Sequence, residues 1–230
     1  MVVVRAGWGN VVAISVYVFD AYGTLFDVHS AVRRHADAVG PDAERLSAVW
    51  RAKQLEYSWV RTLMGRYQDF WRLTEQALDV AFAACPSADP ARKADLLEAY
   101  RTLDCYPEVP GVLDDLKKRG CRLGILSNGT AGMLADAISG SGLAGVFDAV
   151  LSAEEIRTYK TAETVYELAT THFRVYPEAI SFQSSNRWDV AGASACGFRT
   201  IWINRTGAPE EYGDLPPAAT LSTLDGLLAL

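Results

Sequence analysis

At 230 residues, half of them hydrophobic and 22% charged, the chain has the composition of a globular protein with a substantial core and not of a disordered one. Its net charge of −6 argues against general binding to a nucleic-acid backbone, which needs a positive surface. Cys85, Cys105, Cys121 and Cys196 contain no C-x-x-C pair, and His29, His35 and His172 include no two at ligand spacing. This speaks against a zinc site, a disulfide framework or a histidine triad, and for reduced thiols in a cytoplasmic protein.

The first 13 residues, MVVVRAGWGNVVA, are mildly apolar but broken by Arg5 and Asn10. They lack the basic start and cleavage site of a signal peptide, and read either as an extra strand or as a loose leader. No apolar run reaches about 18 residues, so no membrane span is expected. The run VYVF at 16–19 reads as a buried strand delivering Asp20 to its carboxyl end, where Tyr22, Gly23 and Thr24 turn the chain. Residues 29–104 hold no good strand and read as four helices. The first spans 30–39 and stops at Gly40-Pro41. The second runs over 42–64, with Leu46, Val49, Trp50, Lys53 and Tyr57 at helical spacing. The third covers 68–84, and the fourth follows Asp89-Pro90 with Leu96, Leu97, Tyr100 and Leu103.

Beyond Pro107 strand and helix alternate: helix 111–119, strand 121–126, helix 130–138, strand 146–151, helix 161–173, strand 179–182, helix 190–196, strand 200–203 and a closing turn or helix over 221–228. Alternation of this kind implies a parallel sheet covered on both faces. The expected fold is α/β, with a Rossmann-like doubly wound parallel sheet core (13–28 and 105–230) and an inserted helical cap domain (29–104) over the crevice. Gly140, Gly142 and Gly145 spell G-x-G-x-x-G, but they follow a helix and lead into a strand, the reverse of a dinucleotide site.

Four strand ends carry polar groups: Asp20, then Ser127-Asn128-Gly129, then Lys160 beyond a short loop, then Ser184-Ser185-Asn186-Arg187-Trp188-Asp189. Each has a bland reading on its own, respectively a turn aspartate, a capping turn, a solvated lysine and an elaborate N-cap. Together, at the carboxyl ends of strands in one parallel sheet, they lie where ligands bind in such folds. A nucleophilic carboxylate, anion-holding donors, a cation and a second carboxylate would then share one crevice.

In this order the motifs DAYGT, LSNG, the lysine and SSNRWD resemble the haloacid dehalogenase superfamily, and in detail its L-2-haloacid dehalogenase (type II) branch. The likeness runs over nearly the whole chain, including WRAKQLEY at 50–57 and WINRTG at 202–207. The resemblance implies a hydrolase acting on carbon–halide bonds, an (S)-2-haloacid dehalogenase that turns L-2-haloalkanoic acids into D-2-hydroxy acids. Asp20 would attack the α-carbon with inversion to give an aspartyl ester, steadied by Thr24. Asp189, helped by Ser184, Asn186 and Lys160, would direct water at that ester. Ser127 would bind the substrate carboxylate, and Arg51 and Asn128 would receive the halide. Tyr22, Leu55, Phe70 and Trp188 would line a dry pocket, with Tyr166 at the family spacing from Lys160. The resemblance further implies a homodimer, for which the apolar helix face around Trp59 and Met64 is available, although that face could equally pack within one subunit. Expected partners are a small 2-halocarboxylate and water, with no cofactor, metal, nucleic acid or membrane. One departure is Thr161 where the family usually has proline directly after the lysine; Thr161 could cap the following helix instead.

A phosphatase of the same superfamily is the enzyme alternative, and a non-catalytic binding protein with this fold is the other. A phosphatase expels an alkoxide and benefits from a general acid two residues after the nucleophile and from magnesium. Position 22 is tyrosine. Halide leaves unprotonated, so a dehalogenase loses nothing by that exchange. A binding protein would be expected to lose the nucleophile or the lysine, yet Asp20, Lys160 and Asp189 are all present.

Overall fold

The computed structural model describes residues 3–5 and 11–230. β1 (Val3–Arg5) and β2 (Val11–Ala13) form a two-stranded antiparallel ribbon apart from the main sheet. Of the leader's two readings, the described part is strand; residues 1–2 and 6–10 lie outside the described residues.

β3 (Val16–Phe19) is buried along its whole length. Its side chains alternate between two core clusters: Tyr17 and Phe19 join one, Val16 and Val18 the other. A strand covered on both faces reads as a continuous apolar run, which is why VYVF carries no polar position. The chain next forms α1 (Ser30–Arg34), α2 (Ala36–Val39), α3 (Ala43–Met64), α4 (Phe70–Ala84) and α5 (Lys93–Arg101) before returning to the sheet. The expected helix over 30–39 is broken at His35, whose φ of −114° leaves the helical range; neither proline nor glycine marks the break.

From there the order is α6 (Val109–Lys118), β4 (Arg122–Ser127), α7 (Ala131–Gly140), β5 (Ala149–Ser152), α8 (Glu163–Phe173), β6 (Ile180–Ser184), α9 (Arg187–Ala195), β7 (Arg199–Ile203) and β8 (Ala219–Leu221). The six strands β3 to β8 lie parallel in the order β5-β4-β3-β6-β7-β8. β4 and β6 flank β3 on opposite sides, so the strand order reverses at β3 and opens a crevice beyond its carboxyl end.

Several boundaries differ from the sequence reading. α6 starts at Val109 with Pro110 in its first turn, where a missing N–H is harmless. Thr161 does not cap α8; Ala162 stands at the N-cap and no side chain accepts there. The strand expected over 146–151 forms only at Ala149–Ser152. α9 begins three residues early, because the Asn186 carbonyl accepts from the N–H groups of Asp189 and Val190. β8 was not foreseen.

A buried polar chain ties the inserted helices together. Trp50 Nε1 donates to the Thr74 carbonyl (2.8 Å), Gln54 Nε2 to Thr74 Oγ1 (3.0 Å) and the Tyr100 hydroxyl to Gln54 Oε1 (3.2 Å). The segments that enter and leave the insertion run side by side. Asp27 N donates to the Asp104 carbonyl (2.8 Å) and Tyr106 N to the Leu25 carbonyl (3.0 Å), with a bridge between Phe26 and Cys105. Arg205 locks this neck: its Nη2 reaches the Thr24 carbonyl (2.8 Å) and Glu108 Oε1 (2.7 Å), and its guanidinium lies 3.7 Å from the Tyr106 ring centroid. Among the described residues no helix is long and apolar enough to cross a membrane.

Candidate active site

Asp20 leaves the end of β3 with its N–H donated to the Gln183 carbonyl (2.9 Å), which seats it beside β6. Its side chain is almost completely enclosed. Lys160, only 1% exposed, places Nζ 3.0 Å from Asp20 Oδ1 and 2.8 Å from Asp189 Oδ2. One buried cation thus serves two buried anions, from segments 140 and 29 residues away.

The two oxygens of Asp20 differ. Oδ2 accepts from Asn186 Nδ2 (2.8 Å), Thr24 Oγ1 (3.1 Å) and, at 3.4 Å, Ser184 Oγ. Both hydroxyls are aimed by their neighbours: Thr24 Oγ1 accepts from Ser185 N (2.8 Å) and Ser184 Oγ from Asn186 N (3.1 Å). With a lone pair taken by a backbone donor, each hydroxyl turns its proton to the carboxylate. Oδ1 meets only Lys160 among the described side chains, and so is the oxygen left to react.

Asp189 is fully buried. Lys160 holds one of its oxygens and the Tyr166 hydroxyl donates to the other at 2.8 Å. Burial pushes this carboxyl up, to about 6; Lys160 pulls it down, Asp20 adds repulsion and the Tyr166 hydrogen bond opposes it. For Lys160 burial alone would favour the neutral amine, yet the charges of Asp189 and Asp20 outweigh it and the net shift is upward. The lysine stays an ammonium.

The remaining expected residues divide. Ser127 is buried and accepts from Gly129 N (3.1 Å) within its own turn, whereas Asn128 Oδ1 accepts from Lys160 N (2.8 Å) and so braces the loop that carries the lysine. Arg51 reaches from α3 to the Tyr22 carbonyl (3.1 Å). Phe70 is buried at the start of α4, Leu55 is half-buried on α3, and Trp188 meets Trp59 edge-on at 5.4 Å. Tyr166, placed by the resemblance with the substrate-binding residues, is wholly buried with its hydroxyl on Asp189.

Tyr22 stacks on Tyr100 with ring centroids 5.9 Å apart, and its buried hydroxyl has no partner among the described residues. Burial holds that phenol well above its usual range, with the neighbouring Tyr100 adding to the shift, so it stays neutral. Sequence reasoning missed Tyr100 and also Tyr159, whose ring packs on Phe70 at 5.9 Å while its hydroxyl donates to the Gln68 carbonyl. An aromatic directly before the lysine was the available signal.

A magnesium ion does not fit these donors. Asn186 Nδ2, itself a donor, bridges Asp20 Oδ2 and the Tyr22 carbonyl (3.3 Å), so an N–H group sits where these two oxygens converge. Lys160 already sits between the carboxylates.

Residues 14–197 match the family model described as haloacid dehalogenase-like hydrolase. The chain is 47% identical over 211 residues to (S)-2-haloacid dehalogenase 1 of Pseudomonas sp. (strain CBS-3), covering 91% of this chain and 93% of that protein. It is 46% identical over 214 residues to (S)-2-haloacid dehalogenase 4A of Burkholderia cepacia, covering 93% of each. The L-2-haloacid dehalogenase from Xanthobacter autotrophicus with chloropropionic acid covalently bound superposes with a TM-score of 0.84 at 35% identity, over 94% of this chain and 98% of that one. An aspartate at the rim of a doubly wound sheet, one lysine shared between two carboxylates and relatives matched almost end to end lead to one conclusion: the chain belongs to the haloacid dehalogenase-like hydrolases, alongside their (S)-2-haloacid dehalogenases.

Proposed function

We propose that the protein hydrolyses L-2-haloalkanoic acids to D-2-hydroxy acids, with Asp20 as nucleophile. One observation carries the reading: among the described side chains Asp20 Oδ1 is held by Lys160 alone, and position 22, two residues after the nucleophile, holds a neutral, stacked tyrosine in place of a carboxylic acid. The charges agree. Asp20 and Asp189 already offset Lys160 and Arg51, so a substrate anion is met by neutral donors, a demand that the single charge of a carboxylate makes more lightly than the two charges of a phosphate ester.

In the first step Oδ1 bonds to the α-carbon from the side opposite the halogen, and the C–X electron pair leaves with halide. Ser127 and nearby backbone N–H groups hold the substrate carboxylate, Arg51 and Asn128 receive the halide, and Tyr22, Leu55, Phe70 and Trp188 keep water away. In the second step water adds to the Asp20 carboxyl carbon and gives a proton to Asp189. Oδ2 is then the ester carbonyl oxygen, and the donors of Asn186, Thr24 and Ser184 meet the charge that develops on it. The C–O bond breaks, Asp189 returns its proton to the departing alkoxide, and Asp20, now carrying one oxygen from water, releases the second water proton to solvent and regains its carboxylate. Residues 29–104 form the cap in this reading, and 13–28 with 105–230 the core.

Single-turnover reaction with L-2-chloropropionate in oxygen-18 water containing EDTA tests this. Halide release is expected despite the chelator, with the label entering Asp20 and none in the first product; first-turnover product labelling would eliminate the ester. The same reaction followed across pH reports on Asp189. Its carboxyl is raised by burial in the free protein; esterified Asp20 no longer repels it, so its base form persists to lower pH in the ester, and ester hydrolysis is expected to slow as pH falls below that lower range. A rate that never falls on the acid side would take Asp189 out of this role.

A cytoplasmic homodimer completes the proposal. Trp59, Val60, Leu63 and Met64 expose an apolar face on α3, with Val80 beside it on α4. Light scattering at the mass of a single chain would remove the dimer.

A further inference from the structure

Gly192 lies three residues after Asp189 in α9, an interior position where glycine weakens a helix relative to alanine. Its outer side borders an open cleft lined by Trp59, Trp188 and Tyr212, so nothing outside the helix demands its small size. The demand comes from within. A methyl group on Gly192 would come closer than 3.0 Å to the Tyr166 hydroxyl and lie 3.0 Å from Thr161 Cβ. Thr161 is exposed and can give way. Tyr166 can yield only at the cost of its hydroxyl's position: it is wholly buried, with Phe182 and Phe198 edge-on to its ring at 5.9 and 6.1 Å.

We infer that Gly192 is a positioning residue for the hydrolytic step, its absent side chain being the space through which the Tyr166 hydroxyl reaches Asp189. The inference rests on Asp189 being the base that directs water at the ester. A methyl here forces the hydroxyl off Asp189 Oδ1, and the ionised carboxylate loses a charge-assisted donor. Asp189 then holds its proton to higher pH, and fewer molecules carry the base form at neutrality. Ester formation at Asp20, served by Lys160 and the donors on Oδ2, does not involve this contact.

The test compares wild type, Gly192→Ala, Tyr166→Phe and the double variant with L-2-chloropropionate. In Gly192→Ala the first-turnover halide burst is expected at the wild-type rate, while kcat falls between about tenfold and about a hundredfold, the range for losing a hydrogen bond to a charged group. The acid limb of kcat moves to higher pH, and the aspartyl ester accumulates in the mass spectrum of the quenched protein. Tyr166→Phe moves the same readouts in the same direction. The double variant is expected to match Tyr166→Phe alone, because without the hydroxyl the added methyl obstructs nothing needed. Wild-type kcat and acid limb in Gly192→Ala would overturn the inference, as would a double variant that loses the product of the two single effects. Should Gly192→Ala fail to fold, a folded double variant supports the inference and an unfolded one overturns it. Absence of halide release from wild type would remove the underlying functional reading, whereas normal wild-type turnover with unaltered Gly192→Ala kinetics sinks only the role of Gly192.

Discussion

Asp20→Asn is expected to release no halide above the uncatalysed background, a loss of at least about 10⁴-fold, as is usual when a covalent nucleophile is removed. The amide is nearly isosteric. Its oxygen can take the place of Oδ2 and keep the hydrogen bonds from Asn186, Thr24 and Ser184, and Lys160 keeps Asp189. What disappears is the negative charge on the atom facing the α-carbon. The variant should therefore fold and still bind substrate, separating chemistry from binding. Halide appearing in a stoichiometric burst from folded Asp20→Asn would show that another group performs the displacement.

Lys160→Met should damage both activity and stability. The lysine is enclosed between two carboxylates, and breaking a buried pair by removing one partner typically costs about 3–5 kcal/mol. Methionine fills much of the space but leaves both anions without a cation. The pH dependence has a definite sign. Asp189 already stands above its ordinary value through burial and the charge of Asp20, with Lys160 pulling it down; without the lysine it rises further. A carboxyl with a raised folded-state pKa binds more protons folded than unfolded, so stability falls as pH rises through that window. Lys160→Met is thus expected to be more resistant to urea at pH 5 than at pH 7. Lys160 itself, shifted upward, contributes stability in wild type that is fully present at neutral pH and lost only as pH climbs through its folded-state pKa. Equal urea midpoints for wild type and Lys160→Met at pH 7 would contradict the central place given to this ion cluster.

The strands and the chemistry of the site were legible for the same reason. Buried parallel strands are short apolar runs, and Asp20, Ser127 and Ser184 stand where such runs end. Lys160 and Asp189 could be placed from their position after neighbouring strands. Less legible were features set by distant partners. β8 is a three-residue edge strand behind Pro216-Pro217, recruited by β7 and too short to show a period. The neck clamp of Arg205 depends on Thr24 and Glu108, far away in sequence. Tyr166 kept its family spacing, yet its direction is fixed by Phe182, Phe198 and a glycine on another helix. Thr161 offered a plausible cap by composition, but the helix starts two residues later.

The adjoining, hydrogen-bonded entry and exit of the helical insertion have an evolutionary consequence. A segment whose two ends are already held together by the body it leaves asks almost nothing of that body's topology. It can lengthen, shrink or be exchanged like a cassette while the rim carrying Asp20, Lys160 and Asp189 keeps its shape. If these helices cap the crevice as proposed, selection can alter which molecules are admitted separately from the reaction performed on them.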